Sequence, residues 1–202
     1  MMDKDFLSLY EAQNMPLSED FLNKLQSLEL VVFDVDGVLT DGGLLYGEQG
    51  ESLKRFNVKD GVALKLLPKW GVEVAVITAK DSSPLRKRMA DLSVKHFYPA
   101  CHNKKEAFLD LLQRLGIDSD KAAYIGDDVI DLQVMPLVSL ALCPADAHIL
   151  VKRHSHKILL TKAGDGVARE VCDLVMAARM PLETAYAVAQ KPAFESQSDS
   201  FN

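Results

Sequence analysis

The 202-residue chain carries 23 Lys and Arg against 29 Asp and Glu, a net charge of −6, with 48 % hydrophobic and 26 % charged residues. That composition suits one soluble domain with one sizeable core, and the negative charge excludes an extended, non-specific nucleic-acid surface. An anionic substrate would need positive charge supplied locally or by a metal.

Residues 1–27 read as a polar N-terminal lead-in with a short helix around Phe21 and Leu25. Residues 1–5 lack the basic and apolar regions of a signal peptide. The apolar run 28–33 is far too short to cross a bilayer, so no membrane partner is expected. That run stops at Asp34, as a buried parallel strand does. A glycine-rich stretch follows from 37 to 50, and two short runs around Gly47-Glu48-Gln49-Gly50 predict a β-hairpin over about 43–56. Asp60-Gly61 opens a helix with Val62, Ala63, Leu66, Leu67 and Trp70 on one face, stopped by Gly71.

Residues 72–78 form a second buried strand. Ser83-Pro84 starts a helix striped by Leu85, Met89 and Leu92, and His96-Phe97-Tyr98 is a third strand. Asn103 caps a helix carrying Phe108, Leu111, Leu112 and Leu115, closed by Gly116. A fourth strand, 122–125, ends at Gly126-Asp127-Asp128. Further strands at 138–142 and 157–160 precede a helix at 166–178, and a polar tail, 179–202, frays beyond Glu195. The alternation predicts an α/β fold, a Rossmann-like parallel sheet with helices on both faces, spanning 28–178. The cysteines Cys101, Cys143 and Cys172 form no metal-type cluster and read as buried, reduced thiols of a cytoplasmic protein.

In such sheets ligands bind beyond the carboxyl ends of the strands. Asp34 and Asp36, Thr78, Lys104, and Asp127, Asp128 and Asp131 fall at such positions. Singly, each aspartate reads as a turn or cap residue; jointly they converge. Clustered carboxylates repel one another unless a hard cation sits among them, and oxygen ligands suit Mg²⁺. Lys104-Lys105 in the first turn of a helix is electrostatically unfavourable unless an anion is held there. One of the two lysines is expected to point to solvent. Asp34 and Asp36, two apart on an extended segment, point the same way. One can attack phosphorus while the other handles the leaving group's proton.

Asp34-Val35-Asp36-Gly37-Val38-Leu39-Thr40-Asp41, Thr78, Lys104 and Gly126-Asp127-Asp128-Val129-Ile130-Asp131 resemble, in order, the four motifs of the haloacid dehalogenase superfamily. The resemblance implies that Asp34 forms an aspartyl-phosphate and that Asp36 is the acid/base. It implies that Thr78 and Lys104 bind the phosphoryl group. Asp34, the Asp36 carbonyl and Asp127 would ligate Mg²⁺, supported by Asp128 and Asp131. The superfamily's dehalogenases lack the second aspartate, so Asp36 favours phosphoryl transfer. Only about forty residues separate Asp36 from Thr78, and fewer separate Thr78 from Lys104, too few for a cap domain. An open site takes a macromolecule or is covered by a neighbouring subunit.

The run 53–61, Ala145-Asp146-Ala147-His148 and the run 167–174 resemble the 3-deoxy-D-manno-octulosonate 8-phosphate phosphatases. That family forms homotetramers whose hairpins and tails help enclose neighbouring sites, and it serves lipopolysaccharide synthesis. It implies that Asn57, Val58, Lys59, Asp60, Gly61, Lys65, Lys80, Arg88 and Lys104 contact an anionic sugar phosphate, together with Asp36. Lys59, Lys65 and Lys80 stand where the family usually has arginine and lack its two-pronged grip. Ala79 replaces a glycine, and Ala163-Gly164-Asp165-Gly166 reverses a charge. A nine-carbon nonulosonate 9-phosphate is the alternative substrate. A signalling receiver domain would carry its phosphoacceptor on the third strand, which here ends at Tyr98-Pro99. A non-catalytic scaffold would leave clustered carboxylates uncompensated.

Overall fold

The computed structural model describes residues 1–13, 16–48 and 50–194. Two helices, α1 (Lys4–Glu11) and α2 (Glu19–Ser27), precede strand β1 (Leu30–Phe33). The hairpin follows as β2 (Leu45–Gly47) and β3 (Gly50–Leu53), then α3 (Val58–Leu66), β4 (Glu73–Ile77), α4 (Ser83–Asp91), β5 (His96–Tyr98), α5 (Lys104–Leu115) and β6 (Ala122–Ile125). The chain continues through β7 (Leu140–Cys143), α6 (Ile149–His154), β8 (Lys157–Ile158), α7 (Val167–Arg179) and α8 (Leu182–Tyr186).

The six long-range strands pair in the order β5-β4-β1-β6-β7-β8, all parallel. Alternation along β1 explains its unbroken apolar run. Val31 and Phe33 face the core shared with α3 and α7, while Leu30 and Val32 face the core shared with α5. β2 and β3 form a separate antiparallel pair, and Leu45, Tyr46 and Leu53 on it are more than half exposed.

Several boundaries differ from the sequence reading. α3 starts at Val58, because the Asn57 side chain accepts a hydrogen bond from Lys59 N. A 3₁₀ turn, Leu67–Trp70, follows α3 and carries Pro68, whose ring disfavours the α-helical continuation. The expected strand 157–160 is only two residues long. Two 3₁₀ turns, Val129–Gln133 and Met135–Leu137, and α6 were not read from the sequence.

The lead-in is two packed helices instead of one short helix. Leu7, Tyr10, Phe21 and Leu25 join the α7 core, and Tyr10 Oη donates to Glu170 at 2.6 Å. Residues 179–194 are likewise built in. The Trp70 indole donates to Ala185 O at 3.1 Å, and Phe194 is buried. The fraying expected of 195–202 lies outside the described residues. Cys143 and Cys172 are buried, while Cys101 is only partly so; all three are free.

Candidate active site

β1 lies between β4 and β6, where the chain's path across the sheet reverses direction. Parallel sheets open a crevice at such a switch point, beyond the strands' carboxyl ends. Phe33 is in register with Val76 and Ile125, so Asp34, Thr78 and Asp127 emerge at nearly one level. Asp34 N donates to Ile125 O at 3.0 Å and Thr78 N to Tyr98 O at 3.0 Å, which carries the ladder to the rim. A crevice of about 290 Å³ is lined there by Asp34, Asp36, Thr78, Lys80, Lys104 and Asp127, with Asp128 beside them.

Lys104 opens α5 and is fully buried, with Nζ 2.9 Å from Asp34 Oδ2 and 2.7 Å from Asp131 Oδ1. Burial works against its charge, but Asp34 and Asp131 outweigh it and hold the ammonium above the usual lysine range. Lys105 faces solvent.

Asp131 is saturated. Its Oδ1 accepts from Lys104 and from Tyr124 Oη at 2.7 Å, and its Oδ2 accepts from the backbone N of Asp127 at 2.9 Å and of Asp128 at 3.2 Å. It therefore ties the loop after β6 to the lysine and has no lone pair left for a metal. Gly126 makes this possible, since a Cβ there would lie 2.4 Å from Asp131 Cβ.

Asp127 is different: its Oδ1 is buried with no hydrogen-bond partner. Carboxylate oxygens of Asp34, Asp127 and Asp131 lie within 4.8 Å of one another. Burial, and then Asp131, push Asp34 up to about 7 against the pull of Lys104. Burial, then Asp34, Asp131 and Asp128, push Asp127 up to about 8. An all-oxygen set with one orphaned carboxylate oxygen and like charges this close fits a hard divalent cation.

The segment holding Asp34 and Asp36 is not extended as expected. The chain turns at Val35, with Val38 N and Thr40 N both donating to Val35 O. The two side chains reach one crevice through that turn. Asp36 Oδ1 accepts from Thr40 Oγ1 at 3.3 Å and pairs with Lys54 Nζ, while its Oδ2 is buried without a partner. The sequence reading missed Lys54. Its side chain is inaccessible to solvent and also pairs with Glu51 at 2.7 Å. Burial opposes its charge, but Asp36 and Glu51 hold it above the usual range. Lys54 lies in the run 53–61 that carries the family resemblance, but nothing in that run assigned it a partner.

The expected sugar contacts divide. Lys80 and Lys104 line the crevice; 57–61 and Arg88 do not. These form an adjoining knot in which Asn57 Nδ2 donates to Gly164 O at 3.3 Å and Asp60 Oδ1 accepts from Arg169 N at 3.0 Å. Arg88 donates to Asn57 O at 3.4 Å, lies over the Phe56 ring, and fills the space above Gly61. Val58 is exposed. Burial raises Asp60 to about 6, opposed by the backbone donors of Arg169 and Ala168. Lys65 lies elsewhere. It lines a groove with Glu73, which starts β4, so the groove lies at the end of the strands opposite Thr78. The reversed charge at Asp165 is met by Arg55, which also reaches Asp41 at 3.5 Å.

The chain and its fold are similar to those of known proteins. A model of haloacid dehalogenase-like hydrolases matches residues 91–171. The 3-deoxy-D-manno-octulosonate 8-phosphate phosphatase KdsC of Escherichia coli is 41 % identical over 170 residues, covering 84 % of this chain and 90 % of that protein. The cobalt-bound deoxy-D-mannose-octulosonate 8-phosphate phosphatase of Haemophilus influenzae is 40 % identical with a TM-score of 0.76, covering 77 % of this chain and 91 % of that one. The Moraxella catarrhalis 3-deoxy-D-manno-octulosonate 8-phosphate phosphatase, in complex with magnesium ion, phosphate ion and a KDO molecule, is 30 % identical with a TM-score of 0.77, covering 83 % and 95 %. These likenesses leave no place for a receiver domain, whose acidic residues would sit on other strands. The chain belongs to the haloacid dehalogenase-like hydrolases, in the family of the 3-deoxy-D-manno-octulosonate 8-phosphate phosphatases.

Proposed function

We propose that this enzyme hydrolyses 3-deoxy-D-manno-octulosonate 8-phosphate to the free sugar acid and phosphate, with Asp34 as nucleophile and Mg²⁺ as cofactor, in lipopolysaccharide synthesis. The observation that carries the reading is the meeting of Asp34, Lys104 and the orphaned Asp127 oxygen in one crevice. An Asp34 oxygen attacks phosphorus, and the ester bond to the sugar oxygen breaks as Asp36 gives that oxygen a proton. Asp36 then takes a proton from water as the water oxygen attacks the aspartyl-phosphate, which frees Asp34 and phosphate. Lys104 and Thr78 hold the phosphoryl oxygens. Asp34, the Asp36 carbonyl and Asp127 would hold Mg²⁺, which would supply neutralisation of phosphoryl charge when bound. Asp128 and Asp131 position that set, and Asp131 does so through its four hydrogen-bonded contacts.

Lys80 grips the sugar phosphate from the rim, while Asn57, Lys59, Asp60, Gly61 and Arg88 shape its neighbouring wall. Within one protomer Lys65 is too far round the sheet to take part. The uncovered crevice and the exposed Leu45, Tyr46 and Leu53 of the hairpin support a homotetramer that encloses each site with a neighbour's surface. Among the described residues no helix is long and apolar enough to cross a membrane.

The test is Mg²⁺-dependent phosphate release across a panel of eight- and nine-carbon keto-acid phosphates and simple hexose phosphates. The reading expects the eight-carbon compound to give the highest kcat/KM. A preference for the nine-carbon compound would transfer the assignment to a nonulosonate 9-phosphate, consistent with Lys80 in place of arginine. Light scattering at working concentration is expected to give a tetramer, and a monomer would contradict the enclosure.

A further inference from the structure

The hairpin reaches the catalytic carboxylates through one side chain. Lys54 follows β3, and its buried ammonium bridges Glu51, on the hairpin, and Asp36, in the crevice. A buried lysine with two carboxylate partners is fixed in place, because releasing either partner leaves an uncompensated charge. Lys54 and Thr40 both hydrogen-bond Asp36 Oδ1, and neither hydrogen-bonds Oδ2. Oδ2 is the buried, unpartnered oxygen. The carboxylate is thus held by one oxygen, with the other left to exchange a proton.

We infer that Lys54 is a positioning residue that locks the Asp36 carboxylate in its proton-transferring orientation and ties that orientation to the hairpin through Glu51. The inference rests on the reading of Asp36 as the group that protonates the leaving oxygen. Two features separate it from simple packing. Lys54 is the hairpin's one described ion-pair link into the crevice; among the described residues Arg55, the next residue, pairs with Asp41 and Asp165. Its partner Glu51 lies within the hairpin, so one ammonium joins the hairpin to Asp36. Misplacement of a reacting group by about 1 Å can cost about 10²-fold in rate.

The leaving group supplies the test. A sugar alkoxide must be protonated as it departs, whereas p-nitrophenolate leaves as a stable anion. Lys54→Met and Asp36→Asn are compared with wild type, with Mg²⁺ present, on p-nitrophenyl phosphate and on the sugar phosphate that the wild type hydrolyses best. Asp36→Asn is expected to lose about 10²-fold or more on the sugar phosphate and far less on the aryl ester, in line with the usual worth of a general acid. Lys54→Met is expected to show the same selectivity with a smaller loss, about thirtyfold on the sugar phosphate. Lys54→Arg, which keeps the charge, is expected to restore most of it.

Equal losses of Lys54→Met on both substrates, or none, while Asp36→Asn stays selective, would overturn the role of Lys54 alone. Equal losses of Asp36→Asn on both substrates would overturn the reading of Asp36 beneath it. If Lys54→Met does not fold, Glu51→Gln replaces it, since it frees the ammonium from the hairpin and leaves Asp36 untouched. A selective loss again supports the inference, and an equal loss or none overturns it.

Discussion

The Asp127 carboxylate occupies the space that a side chain would need at Gly37: a Cβ there would lie 2.0 Å from Asp127 Oδ2. Gly37 also has φ +85°, which an L side chain rarely adopts. The turn carrying Asp36 and the loop carrying Asp127 therefore close on each other as one unit, although 90 residues separate Gly37 from Asp127 (127 − 37). Gly37→Ala is expected to displace Asp127, weaken the apparent Mg²⁺ affinity, and lower kcat/KM by about 10²-fold. Steady-state kinetics over a range of Mg²⁺ concentrations check this; a wild-type Mg²⁺ response would show that Asp127 is placed by other contacts.

Asp34→Asn is expected to abolish phosphate release, because the amide is nearly isosteric and a poor nucleophile. It also makes a stability prediction. The folded-state pKa of Asp34 is raised by burial to about 7 from 3.8, so its ionised form opposes folding. That cost is absent below about pH 4, grows as pH rises toward 7, and is constant above. The metal-free Asn variant should therefore melt higher than wild type at pH 8, and the gap should close as pH falls toward 4. Thermal melts in chelator across that range are the check.

If Mg²⁺ binds at Asp34 and Asp127 as proposed, it has to displace the protons that they bind below about 7 and about 8. Affinity should therefore fall between pH 8.5 and pH 6, by about tenfold per pH unit for each proton displaced. Calorimetric titration in two buffers of different ionisation enthalpy would show the released protons at pH 6.5. An affinity flat over this range would contradict the site. Chelator should stop turnover, and added Mg²⁺ should restore it.

Tyr10→Phe tests whether the N-terminal helices belong to the fold. Glu170 accepts from Tyr10 Oη and from the backbone N of Leu160 and Thr161, both at 2.8 Å. Losing the hydroxyl leaves two of three donors, so the cost should be about 1 kcal/mol in urea unfolding. kcat should not change, because the crevice lies elsewhere. A neutral result would mean that α1 adds no stability through this contact.

Much of the site was legible because its residues follow strands. Strands announce themselves by apolar runs, and parallel pairing must bring their ends together. Asp34, Thr78, Lys104 and Asp127 were found that way. Lys54 and Glu51 were not, because their hairpin is short and largely exposed and pairs outside the main sheet, so no burial periodicity points its side chains anywhere. Lys65 was carried over by resemblance to a crevice that its place on α3 does not reach. The lead-in looked like an appendage because Leu7, Tyr10, Phe21 and Leu25 are few and widely spaced; their partners on α7 lie about 150 residues away.

The sequence by itself determined the layered α/β fold, the order of the candidate site residues and the absence of room for a cap. Local propensity, apolar runs and interval lengths are properties of a chain read along its length. Only the tertiary structure decided how the carboxylates divide their work. Asp131 is spent on four hydrogen-bonded contacts, Asp127 keeps an orphaned oxygen, and Asp36 is held by one oxygen through a lysine from the hairpin. Those roles depend on which lone pairs are already engaged, and that is settled by packing in three dimensions.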